Sequence, residues 1–307
     1  MAREKILVTG ASGFVGSALV GTLDSSNVIC LGRTPIRGRE FIHSDYGISK
    51  STIRRLQNVK AIVHCAGRAH VMNDEDANSG SLYGQANVDS TVNLAKMANL
   101  AGVHRFVYLS SIKVNGNSKD RPFLPQDDAC PTDQYGLSKL EAERKLIEIC
   151  QLGSMDYSII RPPLIYGPGV KGNLEVLSRY LSRRMPNPFV CIRDNRRSMV
   201  SIYNLISLIH CCCEFKDRIN KVFFVSDGHD ISTAELVNMI SNAKGSLNLP
   251  IPVPEYAWRL FGRILKKPDY IERLIGDLQV DLSETTNFLN WVPPVPILDG
   301  FRKSFLH

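Results

Sequence analysis

Short runs of nonpolar residues alternate with longer amphipathic stretches along the first half of the chain. The runs predict buried strands, and recurrence of nonpolar residues every three or four positions predicts helices. The strands are expected at 5–9, 28–31, 61–65, 105–109 and 157–160, and the helices at 14–23, 51–57, 81–101 and 133–150. Because these strands are nearly all apolar, the pattern predicts an α/β fold with a doubly wound parallel sheet, covered by helices on both faces.

The second half of the chain is interrupted by clusters of proline. Two further strands are expected at 199–202 and 222–225, and further helices at 174–181, 203–213, 233–243 and 254–265. We therefore predict a main domain of residues 1–168 plus about 199–228. A smaller, discontinuous C-terminal domain would comprise about 169–198 plus 229–307 and hold the substrate.

A glycine-rich loop follows the first predicted strand and opens the first predicted helix. Gly10 permits a tight turn, Gly13 lets the backbone approach a pyrophosphate at the helix N-terminus, and Gly16 allows the helix to pack on the strand. This GxxGxxG loop predicts a dinucleotide site on a Rossmann-type domain, in preference to an ordinary glycine-rich turn.

The end of the second strand bears on the choice of cofactor. It reads Cys30-Leu31-Gly32-Arg33 and lacks the acidic residue that usually binds the ribose hydroxyls of NAD. Arg33 could pair with the 2′-phosphate of NADP, or it could be a solvated loop residue. The cofactor is therefore expected to be NADP or NAD, and Arg33 favours NADP.

Tyr135 and Lys139 are four residues apart on a predicted helix, so both side chains face the same way. A phenol with a pKa of about 10 is a poor base at neutral pH, and a neighbouring ammonium is expected to lower that pKa. Ser111 directly follows the fourth strand. It therefore lies at the carboxyl ends of the parallel strands, where such folds bind ligands. The three residues predict an enzyme that moves a hydride to or from a substrate carbon.

The formal net charge of +7 raises the question of a nucleic-acid partner. The basic residues are dispersed apart from one group of arginines, and no known nucleic-acid motif accompanies that group. That group contains Arg179, Arg183, Arg184, Arg193, Arg196 and Arg197. We expect no nucleic-acid partner, because a small anionic ligand with a diphosphate would use such arginines equally well.

Eight cysteines without a CxxC pair predict neither a disulfide framework nor a metal site. The run 211–213 is expected to lie in a helix, where consecutive side chains point in different directions. The sequence shows no apolar stretch typical of a signal peptide, and the most apolar-biased stretch, 199–213, is too short to span a bilayer. A cytoplasmic enzyme without a membrane partner is therefore expected.

Taken together, the motifs resemble the extended short-chain dehydrogenase/reductase family, in particular its NAD(P)-dependent nucleotide-sugar epimerase/dehydratase branch. The resemblance covers essentially the whole chain. It rests on TGASGFVG at 9–16, HCAG at 64–67, NVDST at 87–91, YLSSIKVNG at 108–116, YGLSK at 135–139 and RPPLIYGPG at 161–169. LNWVP at 289–293 resembles a C-terminal LGWxP, with Asn290 in place of glycine.

The resemblance implies roles for individual residues. It makes Ser111, Tyr135 and Lys139 the catalytic triad and places Lys139 on the nicotinamide ribose. The other cofactor contacts that it implies are Phe14, Val15, Asp45, Tyr46, Cys65, Ala66, Gly67 and Asn87. The implied contacts to a UDP-sugar are Lys113, Asn115, Asn173, Leu174, Arg197 and Arg273. It also implies a homodimer that pairs the helices near 81–101 and 133–150.

Members of the family act on a sugar hydroxyl, usually at carbon 4, through a 4-keto sugar. The dehydratases and decarboxylases among them carry carboxylates just after the catalytic serine position. Ile112 and Lys113 stand there instead, which argues against dehydration and decarboxylation. The resemblance thus implies a UDP-sugar 4-epimerase or an NADPH-dependent 4-keto reductase.

We place 4-epimerase first, for a UDP-hexose or UDP-N-acetylhexosamine. The alternative is a reductase of a UDP-4-keto-6-deoxyhexosamine, of the UDP-N-acetylquinovosamine type. Arg33 favours the reductase, and SSIKVNG and RPPLIYGPG resemble a bacterial O-antigen subgroup that contains both activities. A non-catalytic dinucleotide sensor is a further alternative, but retention of Ser111, Tyr135 and Lys139 argues against it.

Overall fold

The computed structural model describes residues 5–68, 79–183, 186–246, 249–264 and 268–306. Its strands are β1 (Lys5–Thr9), β2 (Val28–Gly32), β3 (Glu40–His43), β4 (Val59–His64), β5 (Arg105–Leu109), β6 (Asp156–Arg161), β7 (Leu164–Tyr166), β8 (Pro186–Asn187), β9 (Met199–Ser201), β10 (Asn220–Phe224) and β11 (Leu249–Pro250). Its helices are α1 (Phe14–Thr22), α2 (Lys50–Leu56), α3 (Ser79–Tyr83), α4 (Ser90–Leu100), α5 (Gln134–Gln151), α6 (Asn173–Ser182), α7 (Ile202–Glu214), α8 (Thr233–Ala243), α9 (Glu255–Ile264), α10 (Pro268–Ile275), α11 (Ser283–Leu289) and α12 (Ile297–Phe305).

Seven parallel strands form the main sheet, in the order β10-β6-β5-β4-β1-β2-β3. The order reverses direction between β1 and β4, which is the topological switch point of a doubly wound sheet. Successive residues of β1 point to opposite faces. Val8 packs in the layer with α1 and α7, and Leu7 packs in the layer with α4 and α5. The predicted doubly wound parallel α/β sheet is confirmed.

Two details of the main sheet differ from the pattern-based expectation. Edge strand β3 was not predicted, because of its four residues only Ile42 is buried and the strand has polar ends. The predicted helix at 81–101 is α4 preceded by a π-helical stretch, Gly84–Asp89, which continues from α3. Hydrophobic periodicity does not distinguish the wider π turn from an α turn.

The second half of the chain contributes to both parts of the molecule. Helix α7 and strand β10 join the main sheet and its packing layer. Strand β9 pairs with β7 in a separate two-stranded sheet. Helices α6, α8 and α12 enclose a second core that includes Leu181, Val237 and Phe301. The exact division into two domains stays a prediction.

Helix α5 is the element that carries the predicted catalytic pair. Asp133 caps its N-terminus, since its Oδ1 accepts a hydrogen bond from the Gly136 amide at 2.7 Å. Ala142, Leu146 and Cys150 recur at helical spacing and are buried against the sheet. Over the described residues, no helix is long and apolar enough to cross a membrane.

Candidate active site

The glycine loop after β1 has the backbone geometry that the sequence predicted. Gly10 has φ +66°, and a Cβ there would lie 2.7 Å from the Ala66 nitrogen. A Cβ on Gly16 would lie 2.1 Å from the Gly10 carbonyl oxygen. Helix α1 begins just after Gly13 without a side-chain cap, so its first amides are available to an anion.

A cavity of about 880 Å³ opens beside this loop, at the switch point of the sheet. Its lining includes eight of the predicted cofactor residues, namely Gly10, Gly13, Arg33, Asp45, Tyr46, Cys65, Ala66 and Gly67. Cavities of this size hold small-molecule ligands in other proteins. A glycine cradle, free helix amides and an open cavity fit a dinucleotide.

The other predicted cofactor residues lie around this cavity without lining it. Val15 is buried in the core, and Phe14 packs against the same cluster, so contact with a pyrophosphate would come from their backbone. The Asn87 Oδ1 accepts a hydrogen bond from the Arg68 amide at 2.7 Å, and its amide group donates to Ser138 at 2.9 Å. Asn87 thus joins the segment after β4 to helix α5.

Arg33 and Tyr46 lie at the end of the cavity formed by β2 and β3. The Arg33 side chain is exposed, so it is accessible to the 2′-phosphate of an NADP molecule bound in the cavity. Tyr46 adopts φ 70°, in the left-handed region, and its hydroxyl bonds to Thr9 and Gly10, while burial raises its pKa. The Asp45 Oδ1 accepts from the Gly47 amide at 2.9 Å.

His64 supports the floor of the cavity from the end of β4. Its Nδ1 lies 2.7 Å from the Thr9 hydroxyl and its Nε2 lies 3.0 Å from the Thr91 hydroxyl. Burial lowers its pKa to about 3, so the imidazole is neutral at physiological pH. The Thr9 hydroxyl also accepts from the Ala66 amide, so this hydrogen-bond chain fixes the segment 65–67 against β1.

Gly67 links the cavity to the predicted triad. A Cβ on Gly67 would lie 3.4 Å from the Lys139 Nζ, which shows how closely this ammonium approaches the lining. Lys139 is 5% exposed, donates to the Leu109 carbonyl at 2.9 Å and lies 4.7 Å from the centre of the Tyr108 ring. Burial lowers the pKa of Lys139 to about 8, and the neighbouring Cys65 and Glu143 side chains act in the opposite direction.

Tyr135 and Ser111 are hydrogen-bonded to each other. Their predicted contact with a shared substrate oxygen stays a prediction. Burial raises the pKa of Tyr135 to about 12, although the Ser111 hydroxyl acts to lower it. The expected lowering of the Tyr135 pKa by Lys139 is therefore not found in this structure, because desolvation of the phenolate outweighs the favourable contacts. The phenol is protonated at neutral pH.

The predicted substrate residues fall on two parts of the molecule. Lys113 and Asn115 follow Ser111 on a 3₁₀ turn, where the Lys113 Nζ donates to Asn117 at 2.5 Å and Asn115 is buried. Asn173 and Leu174 begin α6, but the Leu174 side chain is buried in the second core.

Arg197 and Arg273 were expected to hold a diphosphate. The Arg197 guanidinium donates to the Gly276 carbonyl at 2.7 Å, and burial lowers its pKa. The Arg273 side chain and all of Arg184 lie outside the described residues. The roles of all the substrate residues stay predictions.

Sequence reasoning missed three residues of this region. Arg68 lines the cavity directly after the HCAG motif, and its guanidinium lies 5.5 Å from the centre of the Tyr83 ring. Glu143 and Arg161 form a buried ion pair behind the triad. The spacing of Glu143, four residues after Lys139, was a signal that could have identified it. Across the described residues, no cluster of His, Cys, Asp or Glu could hold a metal ion.

The strand order and the loop after β1 define a dinucleotide-binding protein of the Rossmann type, with acid–base groups beside the cavity. The sequence profile of the NAD dependent epimerase/dehydratase family matches residues 6–225. The chain belongs to this family, which uses a nicotinamide dinucleotide as its cofactor. The predicted family resemblance is thereby confirmed.

One sequence relative supports this family assignment, and two solved structures show the same fold. A UDP-glucose 4-epimerase of Vibrio cholerae is 43% identical over 98% of this chain and 94% of its own length. A UDP-N-acetylglucosamine 4-epimerase from Bacillus cereus has the same fold, with a TM-score of 0.80 at 20% identity and 97% coverage of both chains. MoeE5, solved with UDP-glucose and NAD, has a TM-score of 0.77 at 23% identity, over 98% of this chain and 97% of MoeE5.

Proposed function

We propose that this protein is an NAD(P)-dependent UDP-sugar 4-epimerase that acts on a UDP-hexose or UDP-N-acetylhexosamine through a 4-keto intermediate. The observation that carries the proposal is the Ser111–Tyr135 hydrogen bond, with Tyr135 on the same helix as Lys139, whose Nζ closely approaches Gly67 of the cofactor cavity. The 43% identity to the Vibrio cholerae UDP-glucose 4-epimerase, over nearly the full length of both chains, supports the same reaction.

In the proposed reaction, the phenol of Tyr135 first gives up its own proton, and the phenolate takes the proton from the sugar hydroxyl and later returns it. Ser111 donates a hydrogen bond to the same sugar oxygen, and the Lys139 ammonium favours the phenolate while charge develops there. A nicotinamide held in the cavity beside Gly67 would supply or accept the hydride. Ile112 and Lys113 stand where a dehydratase or decarboxylase would need carboxylates.

The second candidate is an NADPH-dependent 4-keto reductase of a UDP-4-keto-6-deoxyhexosamine. Two observations favour it. Arg33 lines the cavity without an acidic residue at the end of β2. Tyr135 has a pKa of about 12, so it is already protonated and can donate its proton to a keto oxygen.

UDP binding is proposed to involve Arg197 and Arg273 from the smaller domain, together with the start of α6. Helix α6 begins at Asn173, and no side chain caps its N-terminus. Its first backbone amides can therefore donate hydrogen bonds to a phosphate oxygen. The guanidinium of Arg197 has one carbonyl partner, Gly276, and further N–H groups that can bind a diphosphate.

One set of incubations distinguishes the candidates. The purified protein is given UDP-N-acetylglucosamine, UDP-glucose or a UDP-4-keto-6-deoxy sugar, with and without added NADPH. Interconversion of the 4-epimers without net cofactor consumption is expected for the epimerase. Stoichiometric loss of NADPH with the keto sugar would assign the reductase. Normal cofactor binding without turnover of any sugar would favour the non-catalytic sensor.

A further inference from the structure

A buried ion pair lies behind the triad and takes no part in the reaction proposed above. Glu143 is on α5, one helical turn after Lys139 and two turns after Tyr135, so it shares their face. Arg161 ends β6. Its Nε lies 2.9 Å from the Glu143 Oε1 and one terminal nitrogen lies 2.5 Å from Oε2, so the pairing is bidentate. The side chains are 2% and 7% exposed for Glu143 and Arg161.

The ion pair also holds the turn that carries Ser111. The Ser110 hydroxyl donates to the Glu143 Oε1 at 2.5 Å. The second terminal nitrogen of Arg161 donates to the Asn115 Oδ1 at 3.0 Å. Ser110 and Asn115 stand on either side of Ser111 and its 3₁₀ turn. One hydrogen bond directly, and three more through Arg161 on β6, therefore join helix α5, with Tyr135 and Lys139, to the segment that positions Ser111.

Stability alone does not account for a buried ion pair. Desolvation of two charges offsets their attraction, and replacement of such a pair by nonpolar residues of similar size is often neutral or stabilising. Nonpolar side chains would, however, leave Ser110 without its acceptor. They would also remove a negative charge from the surroundings of Lys139.

The Lys139 ammonium needs that charge because it is buried. The groups that face it are Glu143 and Tyr135 from its own helix, Tyr108 from β5, and His64 and Cys65 from the end of β4. His64 is neutral, and the pKa of Cys65 is raised to about 12, so its thiol is neutral as well. Near neutral pH, Glu143 is the carboxylate that raises the pKa of Lys139.

We propose that Glu143, paired with Arg161, is a positioning residue that fixes the Ser111 turn against α5 and keeps Lys139 in its ammonium form. It acts through Ser110 and Lys139 and does not touch the substrate. For its catalytic readout the proposal rests on the function proposed above. Its effect on Lys139 is a property of the protein and its cofactor site alone.

Two variants separate the charge from the packing. Glu143→Gln keeps the shape and one acceptor oxygen, and it replaces the second oxygen and the negative charge with a neutral NH2 group. The double variant Glu143→Met/Arg161→Met replaces the pair by nonpolar side chains and should keep the melting temperature close to that of the wild type. Glu141→Gln is the matched control, because Glu141 is exposed on the same helix.

Two quantities are measured from about pH 6 to about pH 10, kcat/KM and the affinity for NADPH by fluorescence titration. Without the carboxylate Lys139 loses its proton at lower pH. Both profiles are therefore expected to fall on their alkaline side about one pH unit earlier in the two variants. The profile of Glu141→Gln should superimpose on that of the wild type.

The proposal would be overturned if, in both variants, the alkaline sides of the two pH profiles coincided with those of the wild type. A uniform loss of kcat without a shift of these profiles along the pH axis would also overturn it. Unfolding of both variants would also overturn it, since the charge would then be inseparable from the fold. If the wild type turned over no UDP-sugar, the proposed function would fail, and the affinity profile would still decide the role of Glu143.

Discussion

At the scale of single residues, Tyr135 is where burial decides the chemistry. Its pKa of about 12 makes it a proton donor at neutral pH, and a base only when its surroundings favour the phenolate. Sequence spacing identified the residue and its lysine partner. Sequence spacing could not predict that the pKa of Tyr135 is raised. That direction depends on how the folded chain packs around the ring, because neighbours from several elements desolvate it.

Tyr135→Phe removes the hydroxyl that we propose exchanges the proton, and it leaves the ring in place. Turnover is expected to fall by at least about 100-fold, because proton transfer contributes roughly that much or more to such reactions. Affinity for the cofactor should change little in calorimetric titration. Tyr256→Phe, at an exposed site on α9, is the control. Turnover at the wild-type level in Tyr135→Phe would refute the catalytic assignment.

We expect Arg33 to favour NADP over NAD by pairing with the 2′-phosphate. Arg33→Asp is expected to shift the preference from NADP towards NAD, because a carboxylate repels a 2′-phosphate and accepts hydrogen bonds from ribose hydroxyls. Calorimetric Kd values for both cofactors measure this ratio. Arg37→Asp is the matched control, as Arg37 is exposed in the same loop and does not line the cavity. An unchanged ratio in Arg33→Asp would contradict the phosphate contact.

At the scale of secondary-structure elements, His64 joins β4, β1 and α4 through two threonine hydroxyls. Its pKa falls from 6.5 in the unfolded chain to about 3 in the fold. The unfolded chain therefore binds more protons between these values, and stability is lost as the pH falls through this window. The slope attributable to His64 is about 1.4 kcal/mol per pH unit.

His64→Gln should remove this contribution to the acid dependence of stability, since glutamine does not titrate. Urea unfolding at several pH values from about 7 down to about 4 measures the effect. The exposed His104→Gln serves as the control and should keep the wild-type slope. An undiminished slope in His64→Gln would show that other groups cause the acid sensitivity.

The elements also show where hydrophobic pattern was sufficient. Strands β1, β2, β4, β5 and β6 lie within two residues of their predicted bounds, because buried parallel strands are almost uniformly apolar. Edge strand β3 escaped prediction, since it lacks such a run. Leu174 belongs to an expected ligand-binding segment, yet its side chain packs in a core that only the folded second domain creates.

At the scale of the whole molecule, we propose a homodimer through helices α4 and α5. Leu100 and Leu137 are exposed on these helices, at 72% and 46%, and would be covered by a second copy. Light scattering should give twice the mass of one chain. The double variant Leu100→Asp/Leu137→Asp should dissociate the dimer, whereas Leu298→Asp on α12 should not. A monomeric wild type would contradict the proposal.

The sequence by itself determined the doubly wound sheet, the glycine loop and the identities of Ser111, Tyr135 and Lys139. These features depend on local patterns, namely apolar runs, glycine spacing and an i, i+4 pair. Only the tertiary structure decided the raised pKa of Tyr135, the neutral state of His64 and the buried Glu143–Arg161 pair. Each of these depends on which distant residues exclude water from a charge, and that exclusion exists only when the chain has folded.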